Sequence, residues 1–466
     1  MGGACDKSDQ ATEVTHLRIA LLTPYTGSNL GDAVIQDALI ANMRLRLPGV
    51  EFSGITQNCE NFLKRHGDDA FPLCGVDIPF FGMAASPEGA QTQSQNLGAR
   101  GTAPRRLGVA GFKRAVRRVP WLGTRLKVTR ATMRRVVREV RHCLGGYRLL
   151  RRCNLLIVSG GGQLSGEWGG AWGHPYALFK WAVLARLAGV PFAITGVGAS
   201  TETARLCRFF LSTALRLGCY RSFRSKKSRQ IAADLLPGAD RDAVVPDLAF
   251  SLPLAELPPP AGIRSMAQGR RIIAISLIAT AKPGISPMSD RNLYDRYLVQ
   301  MASLLSQLVE RGYFLAVVGS CLWDTENVLP DLLDRLDDTA KKNLVRQMTV
   351  PPIATWKDLV AALEDADYLV ASRLHSAILG FMVEKPTVAI SSDPKVDSLM
   401  EESGQNDYLL NIHDFSVETV IAALNRLDLN RDLVVRHLAA CRAGAIPGFE
   451  RQYNYLADLC VRRVSR

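Results

Sequence analysis

The 466-residue chain has no run of apolar residues long enough to cross a bilayer. A spanning helix needs about 18 or more in a row, and the best stretch, from Phe179 to Ser200, is interrupted by Lys180, Arg186 and Pro191. The first fifteen residues carry Asp6, Asp9 and Glu13 without an apolar core, so they do not read as a secretory signal, and a cytoplasmic protein is expected. Ten cysteines are scattered singly with no CxxC pair, which predicts reduced thiols, most of them serving as small core residues. Seven histidines include no HExxH or other paired-ligand spacing, so no metal is indicated. There is no glycine loop ending in Gly-Lys-Ser/Thr, which argues against a nucleotide-triphosphate loop. No repeat with a period of roughly 20–50 residues is visible.

Apolar residues are plentiful: the composition is 47% hydrophobic and 22% charged, as in a folded globular chain. At roughly 100–200 residues per domain the length predicts more than one domain. The net charge of +13 is local, because Arg100 to Arg152 holds 17 Lys or Arg against the single acid Glu139, leaving the remainder slightly acidic. Within it Met133, Val136, Val137, Val140 and Leu144 recur at helical spacing, while Arg134, Arg135, Arg138 and Arg141 fill the other faces. A basic amphipathic helix of this kind suits an anionic membrane surface, and no nucleic acid is expected as partner.

Strand-like apolar runs alternate with helical patterns. In the first half they are Leu17–Thr23, Leu155–Ser159, Pro191–Thr195, Cys219–Phe223 and Val244–Val245; in the second, Arg271–Leu277, Phe314–Gly319, Met348–Val350, Tyr368–Ala371 and Pro386–Ile390. Such alternation predicts parallel α/β layers. The proline-rich stretch Leu254–Ser265 reads as a linker, so the expectation is an α/β protein of two Rossmann-like domains facing a cleft. Residues 1–258 would form the first domain, with a basic insertion near 83–150, and residues 264–466 the second.

Ligands in such sheets bind outside the carboxyl ends of the strands, and five stretches place candidate groups there. In "GSNLGD", Asp32 either caps the following helix or, with Asn29, faces the cleft. In "SGGGQLSG", Gly160, Gly161 and Gly162 read as a tight turn, either against a ligand or merely packing strand on helix. "CYRSFRSKK" ends a strand with Arg224, the cation best placed for a bound anion among several on a solvated face. In "ASRLHSAILG", Arg373, Leu374 and His375 lie at a strand-to-helix turn, and the next strand ends in "SSDPK", bringing Lys395 to the same rim. Arginine offers a planar fork to carboxylate or phosphate, and histidine exchanges a proton near neutral pH. His174, after "GEWGGAWGH", reads as a loop histidine with its hydrogen bonds satisfied, or else as a residue lining the cleft.

In order and spacing these motifs resemble the polysaccharide pyruvyl transferase family over most of Ile19 to Ser403. The matching segments are "GSNLGD", "NLLIVSGGG", "TGVGAS", "RSKKS", "PDLAFSL", "RLH" and "DPK". Ser225 stands where the family usually has Asp, Leu248 where it usually has Pro, and the basic stretch is longer than the family core. The resemblance implies a glycosyltransferase B-like architecture and transfer of the pyruvyl group of phosphoenolpyruvate onto two hydroxyls of one sugar, forming a cyclic ketal and releasing phosphate. By the same resemblance His375, Arg373, Lys395 and Arg224 are donor-binding and catalytic, no cofactor is needed beyond the donor, and the acceptor is a sugar of an exopolysaccharide, cell-wall or lipid-linked oligosaccharide. A lipid-linked acceptor agrees with a basic segment at the inner face of the cytoplasmic membrane. The competing readings are a nucleotide-sugar glycosyltransferase of the same architecture and a non-catalytic protein that binds anionic surfaces.

Overall fold

The computed structural model describes residues 16–25, 27, 29–76, 120–202, 204–279, 282 and 290–463, with the backbone alone for 120–131 and for residues 254 and 322. The polar leader and the first part of the basic segment lie outside these residues. Two wholly parallel sheets form the frame. The first has seven strands in the order β3-β2-β1-β4-β5-β6-β7: β1 Arg18–Leu22, β2 Glu51–Thr56, β3 Asp69–Pro72, β4 Leu155–Leu164, β5 Phe192–Ala199, β6 Tyr220–Phe223 and β7 Ala243–Val244. The second has six in the order β10-β9-β8-β11-β12-β13: β8 Ile272–Ser276, β9 Phe314–Val318, β10 Met348–Thr349, β11 Tyr368–Ala371, β12 Thr387–Ser391 and β13 Leu409–Asn411. Both orders reverse beside the first strand of their sheet, as in the doubly wound dinucleotide-binding fold. Central strands such as β8 and β9 are buried at every residue, which is why they are unbroken apolar runs.

Each half has more strands than the five expected. The additional ones are β2, whose Ser53 and Gly54 interrupt its apolar run, and the short edge strands β3 and β13, which carry too few apolar residues to announce themselves. The three glycines also differ from expectation. They lie inside β4, not in a turn after it: Gly160 and Gly161 take φ of 69° and 73°, and the strand continues past a shift in register to pair Leu164 with Ala199. A bulge of this kind needs glycine because positive φ is costly for side chains with a Cβ.

The two sheets are joined by apolar packing. One cluster runs from Ile19, Leu21 and Phe52 through the helix Leu30–Arg46 to Ile272 and Phe314 of the second sheet. Trp356 Nε1 donates to Asp37 across the same seam at 2.6 Å. The last helix, Arg431–Arg462, serves both domains: Val434 and Leu438 enter the core of the second, whereas beyond Pro447 the residues Phe449, Tyr453, Leu456 and Cys460 pack in the shared cluster. Gln452 there accepts from Ser222 Oγ on β6 at 2.5 Å, so the chain end returns to the first sheet. No disulfide forms among the described residues. Among the described cysteines, Cys153, Cys207 and Cys460 are buried, fewer than expected, and Cys219 and Cys441 are exposed.

Candidate functional site

The carboxyl ends of both sheets converge on one polar cluster. From the first sheet, β1 leads to Asn29 and the helix Leu30–Arg46. Asn29 is its N-cap, accepting from Gly31 N at 3.1 Å, and its amide donates to Asp32 Oδ2 at 2.9 Å. Asp32 is therefore not the cap that one reading made it, and its other oxygen lies beside the bulge, 3.5 Å from where a Cβ on Gly161 would stand. The loop is stitched to the second domain, because Leu30 N donates to Ser320 O at 2.9 Å.

Arg224 follows β6, and its guanidinium lies over Gly198. A Cβ there would come within 2.6–2.7 Å of it, so the second glycine of "GVG" gives the arginine its room. Nη1 is 3.4 Å from Oδ2 of Asp247, a buried carboxylate just after β7 that also accepts from Ala249 N at 3.1 Å. Ser225, in place of an acid, caps the helix Lys226–Leu235 by accepting from Ser228 N at 3.0 Å, the task an aspartate would perform.

From the second sheet, β11 ends at Ser372, and Arg373 is the N-cap residue of the helix Leu374–Met382, though its side chain does not cap. It makes a two-pronged pair with fully buried Asp324, Nε to Oδ2 at 2.6 Å and Nη2 to Oδ1 at 2.8 Å. Two faces of its fork are thus fixed, which orients the remaining nitrogen. Leu374 packs against both apolar clusters below. His375 crosses to the first domain, where its ring occupies the space a Cβ on Gly31 would need, 2.0 Å away. Its Nε2 stands 4.0 Å from Asp247 Oδ2 with no hydrogen-bond partner, and Oε1 of buried Gln163 is likewise unpartnered. Lys395, in the first turn of the helix Pro394–Glu402, places Nζ 3.7 Å from the Cβ position of Gly162 and 3.8 Å from Glu167.

Electrostatics separates the two proton-carrying groups. Burial, then the Arg224, Lys395 and Arg373 charges, lower His375 to about 4 against the partial opposition of Asp247, so it is neutral at pH 7. Burial and then the neighbouring Asp247 charge raise Asp32 to about 7, against Arg224, Asn29 and Lys395, so it can hold a proton near neutral pH. The sequence places Asn29, Asp32, Gly160, Gly161, Gly162, Arg224, Arg373, Leu374, His375 and Lys395 in this region; the structure brings the polar ones together with Gly161 and Gly162, whereas the Cβ position of Gly160 faces Leu248 and Ile35 and Leu374 packs into the apolar clusters below. Sequence reasoning missed Asp247 and Asp324. "PDLAFSL" had marked the first as part of a motif, whereas nothing near "LWDTEN" distinguishes the second from a surface acid.

His174, expected as a satisfied loop residue, begins the helix His174–Ala188, fully buried with both ring nitrogens unpartnered and its ring 5.3 Å from that of Trp168. Burial alone lowers it to about 3. Among the described residues, Glu139, His142 and Cys143 gather metal-ligand atom types within 4.8 Å of one another. Glu139 is taken by Lys180 at 2.7 Å and His142 Nε2 contacts Pro72 O at 2.7 Å, so the cluster already has internal partners.

A family model described as polysaccharide pyruvyl transferase matches residues 29–394. Among curated proteins none gives a significant match. Solved structures share the architecture at low identity. A glycosyltransferase from Rickettsia africae is 13% identical with a TM-score of 0.50, over 96% of this chain and 97% of that one. A protein from Anabaena determined in complex with UDP is 11% identical with a TM-score of 0.51, over 96% and 99%. The UDP-GlcNAc 2-epimerase of Methanocaldococcus jannaschii is 8% identical with a TM-score of 0.50, over 88% and 92%. At such identities the likeness is one of fold.

Proposed function

The chain belongs to the polysaccharide pyruvyl transferase family, a family of transferases acting on sugar polymers, and on that premise we propose that it moves the pyruvyl group of phosphoenolpyruvate onto two hydroxyls of an acceptor sugar as a cyclic ketal. The observation that carries this reading is the meeting of three cations, Arg224, Arg373 and Lys395, with neutral His375 and a high-pKa Asp32 in one cluster. Phosphoenolpyruvate bears a carboxylate and a phosphate on a three-carbon frame, so its site needs several fixed cations held ready before it arrives. The orphaned Nε2 of His375 and Oε1 of Gln163 are polar atoms that a ligand would satisfy.

In the proposed reaction one sugar hydroxyl adds to carbon 2 of the donor while a proton is delivered to the methylene carbon, which becomes a methyl group. The carbon–oxygen bond to phosphate then breaks, and the second hydroxyl captures the resulting cation. Of the two hydroxyl protons lost, one balances the proton gained by the methyl group and the other leaves with phosphate. Arg224 and Arg373 hold the anionic groups, and Lys395 stabilises the departing phosphate. Asp32 supplies the acid at neutral pH and His375 the base, with His375 able to become the acid once a bound dianion raises its pKa. Asn29 and the bulge at Gly160–Gly162 border the acceptor side. Donor carrying heavy oxygen at the bridge should release it in free phosphate, and reaction in deuterated water should leave one deuteron in the ketal methyl. Label kept on the pyruvyl carbon, or sugar transfer from a nucleotide sugar with no use of phosphoenolpyruvate, would overturn the proposal.

A further inference from the structure

The five apolar residues of the basic helix are not its packing face. Between Thr132 and Leu150 the helix turns Glu139, His142, Gly146 and Leu150 toward the first domain. There Gly146 lies against Trp181, and the helix's one acid is neutralised by Lys180 and also accepts from Gly75 N and Tyr176 OH. Met133, Val136, Val137, Val140 and Leu144 remain 40–63% exposed. At about 100° per residue they form one continuous stripe roughly 100° wide, distinct from the packed sector. Arg134, Arg138, Arg141 and Arg148 border the stripe's free edge, and Met133 and Val137 share a shallow groove with the first three of these. Tyr176, which binds Glu139, is 5.6 Å ring to ring from Trp172, itself 66% exposed; Trp172 leads on to Phe210 and exposed Phe209.

An apolar stripe beside a row of arginines, with the neighbouring carboxylate turned inward, is costly in water and complementary to a surface that is itself apolar below and anionic above. Nucleic acid would match the arginines and leave the stripe wet; a second copy of the chain would cover the stripe and set arginine against arginine. We propose that this face of the first domain docks on an anionic lipid bilayer, with Val136, Val137, Val140 and Leu144 entering the interfacial region and the arginines on the headgroups. No helix among the described residues is long and apolar enough to cross a membrane.

Flotation of the whole chain with vesicles of phosphatidylcholine alone, or mixed with phosphatidylglycerol, tests this without donor or acceptor, so its result is separate from that of the proposed chemistry. Binding should occur to the mixed vesicles and weaken with salt. Arg134→Gln, Arg138→Gln and Arg141→Gln together should reduce it about a hundredfold, at roughly fivefold per charge. Val137→Asp with Val140→Asp should abolish it while leaving the melting temperature unchanged, since neither side chain packs inside the fold. Equal binding to both vesicle types, binding to neither, full binding by the aspartate variant, or a lipid-free dimer that this variant dissolves would each overturn the proposal.

Discussion

At the level of single residues, two titratable groups of the cluster, His375 and Asp32, stand in surroundings that oppose their usual charged or uncharged states. His375 has a depressed pKa, so it helps folding above its unfolded value near 6.5, and that help is lost as pH falls toward about 4. Asp32 is raised from 3.8 to about 7, so its cost to stability grows as pH rises through that window and is complete above it. Asp32→Asn should therefore raise the melting temperature at pH 8, by an amount that shrinks as pH falls toward 4, while lowering turnover about 10²–10⁴-fold as expected for a lost general acid. In the free enzyme kcat/KM should rise through about 4 and fall through about 7, and the alkaline limb should vanish in the variant. The two residues of "RLH" should fail differently. Arg373→Ala removes the proposed donor clamp and leaves the Asp324 charge buried without its partner, so the donor KM should climb steeply and stability should fall by about 3–5 kcal/mol. His375→Ala should keep donor affinity and lose turnover by about 10²–10⁴-fold. Steady-state kinetics beside urea denaturation separates these outcomes.

At the level of elements, glycines decide where charged groups can stand. Gly31 admits the His375 ring and Gly198 admits the Arg224 guanidinium, in each case where a Cβ would come closer than any real contact. Gly31→Ala should accordingly push the ring out of register, costing about 1–3 kcal/mol as an overpacked site and far more in relative activity. Activity falling only in proportion to the folded fraction would show that the ring's position is not what the glycine protects. The same element shows how the sequence was read correctly on one count and not on another. "GSNLGD" was recognisably a strand-to-helix loop, but the helix begins at Leu30, so Asn29 is the cap and Asp32, offered as a cap, falls inside the first turn.

At the level of the whole molecule, the two domains are held by one apolar cluster and by a terminal helix that crosses between them. Tyr453 is completely buried and shares a hydrogen bond of 2.8 Å with Ser251 Oγ. Tyr453→Ala should cost about 3–5 kcal/mol, read as a shift of the urea midpoint, because it removes a large aromatic from the seam. Since that seam holds the strand ends of both sheets together, activity at temperatures where the variant is still folded should also drop. Unchanged activity there would mean that the terminal helix stabilises the fold without holding the site.

What the sequence alone determined was local and periodic. The strand runs, the basic segment and the polar residues at strand ends follow from apolar spacing and from the rule that α/β sheets bind ligands at one edge. The family's motifs named the four cationic and histidine positions because each lies in a short contiguous stretch such as "RLH" or "DPK". Tertiary structure decided the rest. Asp247 and Asp324 join the cluster only through folding, since they lie 128 and 49 residues from His375 and Arg373 respectively. The protonation states of Asp32 and His375 come from burial between two domains, which no spacing records. The stripe on the basic helix was visible as a period, but a period cannot say which face meets the protein. That was settled by Glu139, which turned inward because Lys180, Tyr176 and the Gly75 amide stood there to receive it.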